Sequence, residues 1–180
     1  MTAVRIVRIE PVDRTILQRL IGTLAHSLQS TVRLDESNRI DPAPTFDVAR
    51  SQYNSTALIA TLLERFGGTD DKILGVTALD LFVPVLTFVF GEAQLKGKVA
   101  VVSTRRLDDV FYGLPPNRDL FESRLLRESV HELGHTFGLI HCPDYQCVMH
   151  SSTSVEEIDL KGSDLCSECR AKIAGTTSAS

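Results

Sequence analysis

The chain predicts a mixed α/β (α+β) domain, a twisted mixed sheet with helices packed on it. Three observations predict it. Segments of period-two apolar alternation take turns with segments of helical spacing. The length, 180 residues, suits a single compact domain with room for two subdomains around a cleft. No apolar run approaches the roughly 18 residues of a membrane-spanning helix, so membrane insertion is not expected.

The elements follow in order. Val4–Ile9 alternates as a first strand. Asp13 can cap a helix that carries Ile16, Leu17, Leu20, Ile21, Leu24 and Leu28 at helical spacing, and His26 within it is expected to be structural. Residues 31–34 make a second strand, and Asp41-Pro42-Ala43-Pro44 a loop. Asn54 or Ser55 opens a second helix through Leu58, Leu62, Leu63 and Phe66, which Gly67-Gly68 ends. Three strand-like runs come next, over 72–79, 86–90 and 99–103, with 91–97 as a hairpin-like connection between the last two. A loop over 105–117 contains Pro115-Pro116, and Asn117 can cap a long helix through His131 and His135.

That last helix holds the most informative run of the chain, His131-Glu132-Leu133-Gly134-His135-Thr136-Phe137-Gly138-Leu139-Ile140-His141. Two histidines four residues apart lie on one helical face, about 6 Å apart along the axis. Their rings can reach one ion. Gly138 can take the left-handed conformation that ends a helix and reverses the chain, so a short hook returns His141 to the same point. Three imidazoles leave one position of a zinc ion open for water, and Glu132 is placed to take a proton from it. With ordinary residue usage the full pattern arises by chance in on the order of one chain in 10⁵ of this length. Competing ligand sets replace His141 by a carboxylate, Glu156 or Glu157, or by His150. A surface helix with three solvated histidines is the bland alternative.

All four cysteines follow the helix: Cys142, Cys147, Cys166 and Cys169. Two close pairs separated by a loop form a tetrahedral structural-zinc pattern. Two disulfides, or unligated thiols, are the alternatives. The opening residues 1–5 contain no signal-peptide apolar block, so a cytoplasmic setting with reduced thiols is expected. Adjacent residues of an extended chain point to opposite sides. His141 can therefore serve one zinc and Cys142 a second, which would pin the hook. The expected cofactors are two zinc ions per chain, one catalytic and one structural.

The span 131–169 resembles the metzincin clan of zinc peptidases and, within it, the archaemetzincin (archaelysin) family. The resemblance rests on the histidine run, the adjoining Cys142, Cys147-Val148-Met149 and Cys166-Ser167-Glu168-Cys169. Weaker likenesses lie in Arg50-Ser51-Gln52-Tyr53-Asn54-Ser55-Thr56 and in 86–93. The resemblance implies His131, His135 and His141 on a catalytic zinc, Glu132 as general base, the four cysteines on a structural zinc, and Met149 beneath the histidine rings. It implies a single metzincin-like catalytic domain over 1–175. Residues 1–138 would form an N-terminal subdomain with a central active-site helix, 139–175 a small zinc-stapled C-terminal subdomain, and 176–180 a disordered tail. The clan pairs substrate with an edge strand, for which 86–90 is the candidate. Some clan members also use a Tyr after the Met; here none follows Met149, and Tyr145 precedes it.

A zinc-dependent peptidase acting on a peptide or protein is the leading expectation. A zinc-stabilised module that binds a peptide or chain terminus without turnover is the alternative, and a purely structural two-zinc protein is a third reading. The net charge of −4 gives no electrostatic case for nucleic acid. A monomer is compatible with the sequence.

Overall fold

Strand β1 (Val4–Ile9) is apolar on both faces, and the sheet is built outward from it. The computed structural model describes residues 2–177. The five-stranded sheet has the order β2-β1-β5-β8-β7, with β2 at Val32–Ile40, β5 at Lys72–Thr77, β7 at Gly91–Ala93 and β8 at Val99–Ser103. All neighbours are parallel except β7 against β8. Every residue of β8 is buried, as expected of a strand covered on both faces.

Helix α1 (Arg14–Leu28) covers one face with Leu17, Leu20 and Leu24. Asp13 caps it by accepting a hydrogen bond from the Thr15 amide at 2.8 Å. Helix α2 (Ser55–Phe66) covers the other face with Leu58, Leu62 and Phe66 against Val7, Ile9, Ile73 and Val101. Its cap is Asn54, whose side chain accepts from the Ala57 amide at 3.0 Å. Helix α3 (Arg118–Thr136) lies on the α1 face, capped by Asn117 through the Leu120 amide. A small second sheet joins β3 (Phe46–Asp47), β4 (Gln52–Asn54) and β6 (Leu81–Phe82). Two helices close the described chain, α4 (Val155–Leu160) and α5 (Ser167–Thr177).

The structure corrects several expectations. Strand β2 runs to Ile40, beyond the expected 31–34. Its second half is polar and irregular: the register jumps between Val7↔Asp35 and Arg8↔Arg39, and Asp35 accepts from the amides of Ser37 and Asn38. The loops at 41–44 and 105–117 each contain a 3₁₀ turn, over Ala43–Thr45 and Asp109–Tyr112. His26 is exposed in the last turn of α1, so it is not a core residue. Residues 176 and 177 continue α5, and the remainder of the expected tail lies outside the described residues.

Arg124 ties α3 to two other segments. It is 4% exposed, reaches Asp159 of α4 through Nε and Nη2 at 2.8 and 2.7 Å, and reaches Asp109 and the Leu107 carbonyl through Nη1. Removing a buried partner strands the remaining charges. Arg124→Ala is therefore expected to cost about 3–5 kcal/mol, read as a lower urea midpoint.

Candidate active site

Helix α3 ends where its chemistry begins. Gly138 has φ of +94°, and a Cβ there would lie 2.8 Å from Lys96 Cγ. The Gly138 amide donates to the His135 carbonyl at 2.9 Å and the Leu139 amide to Gly134 at 3.0 Å, which closes the helix and turns the chain back. Two neighbours finish the end. The Lys96 amide donates to the His135 carbonyl at 3.0 Å, and Lys72 Nζ to the Thr136 carbonyl at 2.9 Å. The hook then returns, and the Cys142 amide donates to the Met149 carbonyl at 2.9 Å.

This path brings His131, His135 and His141 together, with ring centroids 4.8, 5.2 and 5.3 Å apart. Their candidate ligand nitrogens all lie within 4.8 Å of one another. Nδ1 of His131 is 2.8 Å from the Val148 carbonyl, and Nδ1 of His135 is 2.7 Å from the Leu139 carbonyl. Carbonyls only accept, so both Nδ1 atoms carry hydrogen and both Nε2 atoms present lone pairs. Those two Nε2 atoms face each other at 3.2 Å. Facing lone pairs repel unless a cation lies between them. Tetrahedral zinc with nitrogen ligands sets them about 3.4 Å apart, so the rings fit that ion. Burial, reinforced by Lys161, holds His131 well below its ordinary pKa, and burial lowers His141 too. Neutral imidazole is the metal-binding form.

Glu132 is 6% exposed, and burial, then the neighbouring Glu128, push its carboxyl well above the usual range. Met149 is fully buried with its sulfur packed against Gly134, one residue before His135. The four cysteines are free thiols whose sulfurs lie within 4.8 Å of one another. Cys142 Sγ is 3.9 Å from Cys166 Sγ, close to the ~3.8 Å edge of a tetrahedral zinc–thiolate site. Hydrogen bonding from the Cys169 amide lowers the Cys166 thiol, whereas burial raises Cys147 and Cys169. The competing third ligands lie outside the histidine group. Glu157 accepts from the Thr153 amide, Glu156 is exposed on α4, and His150 Nδ1 meets the Cys142 carbonyl at 2.9 Å. Tyr145 is 75% exposed and packs on His150.

A cleft of about 730 Å³ opens on these groups, between α3, the hook and residues 86–93. Its edge strand is not 86–90, as the sequence suggests, but β7. In 86–90 only Val89 forms a bridge, to Leu81, while Phe88 and Phe90 pack edge to face. Gly91 explains the shift. A Cβ on it would lie 2.7 Å from both Glu132 Cγ and the Val101 carbonyl, so only glycine lets the strand pair with β8 over α3.

A model of peptidase family M54 matches residues 28–175. The chain belongs to this family. An archaemetzincin from Methanocaldococcus jannaschii is 44% identical over 132 residues, covering 73% of this chain and 72% of the relative. The crystal structure of archaemetzincin from Methanopyrus kandleri superposes with a TM-score of 0.84 at 35% identity, covering 98% of this chain and 96% of that one. A zinc-dependent peptidase from Methanocorpusculum labreanum gives 0.85 at 28% identity, covering 94% and 99%. This M54 chain is accordingly a zinc metallopeptidase with the mixed α/β fold of the archaemetzincins.

The M54 site includes residues that the sequence does not single out. Lys161, 2% exposed, lies 2.9 Å from Glu128 Oε1, 3.5 Å from His131 Nδ1, and donates to the His150 carbonyl at 3.2 Å. It offsets the buried Glu128 charge beside the histidines. No local pattern announces it; a lone Lys after a short helix reads as surface. Gly91-Glu92 reads as turn for the same reason. Gly91→Ala is expected to displace Glu132 or the strand and lower peptide turnover by about a hundredfold, with unchanged far-ultraviolet circular dichroism.

Proposed function

We propose that this peptidase acts through His131, His135 and His141 as ligands of one zinc and Glu132 as general base. The observation that carries the reading is the pair of lone-pair nitrogens facing each other at 3.2 Å beside a buried carboxyl. Zinc, when bound, polarises a carbonyl oxygen and brings the pKa of water toward about 7. Glu132 takes a proton from water in the cleft and passes it to the leaving amine. Burial raises its pKa, which helps it hold the proton between taking it from water and giving it to the amine. Buried Met149 supports the histidine face from below.

Main-chain pairing with β7 aligns the peptide. Phe90 O and Gln94 N bond to Ser103 and Val99 of β8. By alternation, the main-chain groups of Gly91 and Ala93 face the cleft. A peptide antiparallel to β7 places its N-terminal half toward Leu95 and Ile140 and its C-terminal half toward Thr87 and Phe88. Glu132→Ala is expected to keep its zinc and lose hydrolysis about 10²–10⁴-fold, measured on a diverse peptide library with metal analysis alongside. Undiminished turnover would remove Glu132 from the mechanism. Tight binding without turnover in the unaltered chain would favour the binding-module reading instead.

The same reading gives the chain a second, structural zinc on Cys142, Cys147, Cys166 and Cys169. One catalytic domain spans 1–175, and 139–175 acts as its stapled C-terminal subdomain. Four free thiols gathered at one point suit a reducing, cytoplasmic setting. Among the described residues no helix is long and apolar enough to cross a membrane. Because His141 and Cys142 are adjacent, the two sites are coupled. Cys142→Ala or Cys169→Ala is expected to weaken zinc retention at both sites in a chelator titration. Loss of one zinc with full affinity at the other would refute the coupling.

A further inference from the structure

The wall of the cleft has a fastening that the mechanism above does not use. Residues 83–88 cross the surface without strand pairing, and Val85 and Leu86 are 89% and 52% exposed. Within this loop the Leu86 amide donates to Val83 at 3.0 Å. Three of its carbonyls are held from outside by side chains of one short segment. Arg50 donates to Leu86 O at 2.9 Å through Nη1 and to Pro84 O at 3.2 Å through Nη2. Gln52 Nε2 donates to Thr87 O at 3.0 Å and to Asp80 Oδ2 at 2.9 Å. Asp80 in turn receives Arg106 at 2.6 and 2.8 Å, and the Arg106 guanidinium stacks 4.1 Å from the centre of the Phe88 ring. Thr87 and Phe88 both line the cleft.

The same segment also grips the edge strand. Ser55 Oγ donates to Glu92 Oε2 at 2.5 Å and Thr56 Oγ1 to Glu92 Oε1 at 2.9 Å. Glu92 is the middle residue of β7, so its side chain is fixed on the α2 side while Gly91 faces Glu132. Arg50–Thr56 thus reaches both pieces of the wall, while none of its residues lines the cleft itself. Buried Gln52 spends both amide hydrogens on this task.

We infer that Arg50 and Gln52 are positioning residues for substrate: they hold loop 83–88 as the wall against which the C-terminal half of a bound peptide lies. The inference rests on the antiparallel alignment proposed above. It assigns the loop to one half of the peptide because β7 runs from Gly91, over Glu132, toward Lys96 at the end of α3. Thr87 and Phe88 lie at the opposite end.

The test uses zinc-loaded Glu132→Ala protein, so that peptide is bound and not consumed, and the tightest binder from a random peptide library. Gln52→Glu keeps the side-chain shape but cannot donate to Thr87 O and sets a second carboxylate beside Asp80. Arg50→Ala removes an exposed side chain and is the second variant. Each is expected to raise Kd roughly tenfold, the scale of one or two lost hydrogen bonds, with zinc content unchanged. Truncating the peptide from its C-terminus should erase the difference between variant and parent; truncating from its N-terminus should leave it. In the chain with Glu132 intact, KM should rise with kcat within about threefold. Unchanged Kd, an equal loss for both truncation series, or a library without any binder overturns the inference. Sensitivity confined to the N-terminal series overturns it too, and leaves the zinc and Glu132 assignments standing. Those are judged separately, by turnover of the chain with Glu132 intact.

Discussion

A helix with a polar, buried face obliges the rest of the chain to come to it. Of the residues in α3, Arg124, Glu128, Ser129, His131, Glu132 and Thr136 are all buried polar groups. Burying such groups unmatched costs several kcal/mol in total. Three of them take partners from distant segments: Asp109 and Asp159 for Arg124, Lys161 for Glu128, and the Val148 carbonyl for His131. The C-terminal part of the chain is therefore drawn under the helix by charge and hydrogen bonding as much as by apolar packing. Met149, Val148 and Ile158 supply the apolar share.

That obligation also organises the site. The carbonyls that orient His131 and His135 belong to the hook and to the segment before Met149, so the rings are aimed by the chain that carries the third histidine. Backbone oxygens leave no choice of tautomer, which points both Nε2 atoms at one place. On the opposite side, Gly91 admits the edge strand to contact with Glu132. Glu132, the facing imidazole nitrogens and the free strand edge thus converge because Gly91 fits between Glu132 and the Val101 carbonyl and Gly138 turns the chain at positive φ beside the Lys96 side chain.

Local features were legible in the sequence. The caps Asp13, Asn54 and Asn117 lie where residue type and apolar spacing put them, since capping is settled within three or four residues. The histidine run and the cysteine pairs were legible for the same reason: helical spacing and a glycine stop are short-range rules. What sequence obscured depends on distant partners. Strand β7 has three residues, Gly-Glu-Ala, with no alternation, and exists because β8 and α3 present a groove for it. The second half of β2 is polar and is held by Asp35 turns and a shifted register. Lys161 acquires its role only through Glu128, 33 positions earlier in the numbering, which no local pattern encodes.

The brevity of β7 has a further consequence. A strand of three residues exposes the main-chain groups of only two, Gly91 and Ala93, so it can hold a peptide by few bonds. A segment must arrive already extended, at about 3.3 Å per residue, to use them. Helical polypeptide advances only about 1.5 Å per residue and has its amides engaged internally, and a strand inside a sheet has both edges occupied. On the proposed pairing, slack decides which segments reach the edge: loose termini, linkers and unfolded stretches fit it, whereas the ordered parts of a folded protein do not until they come undone.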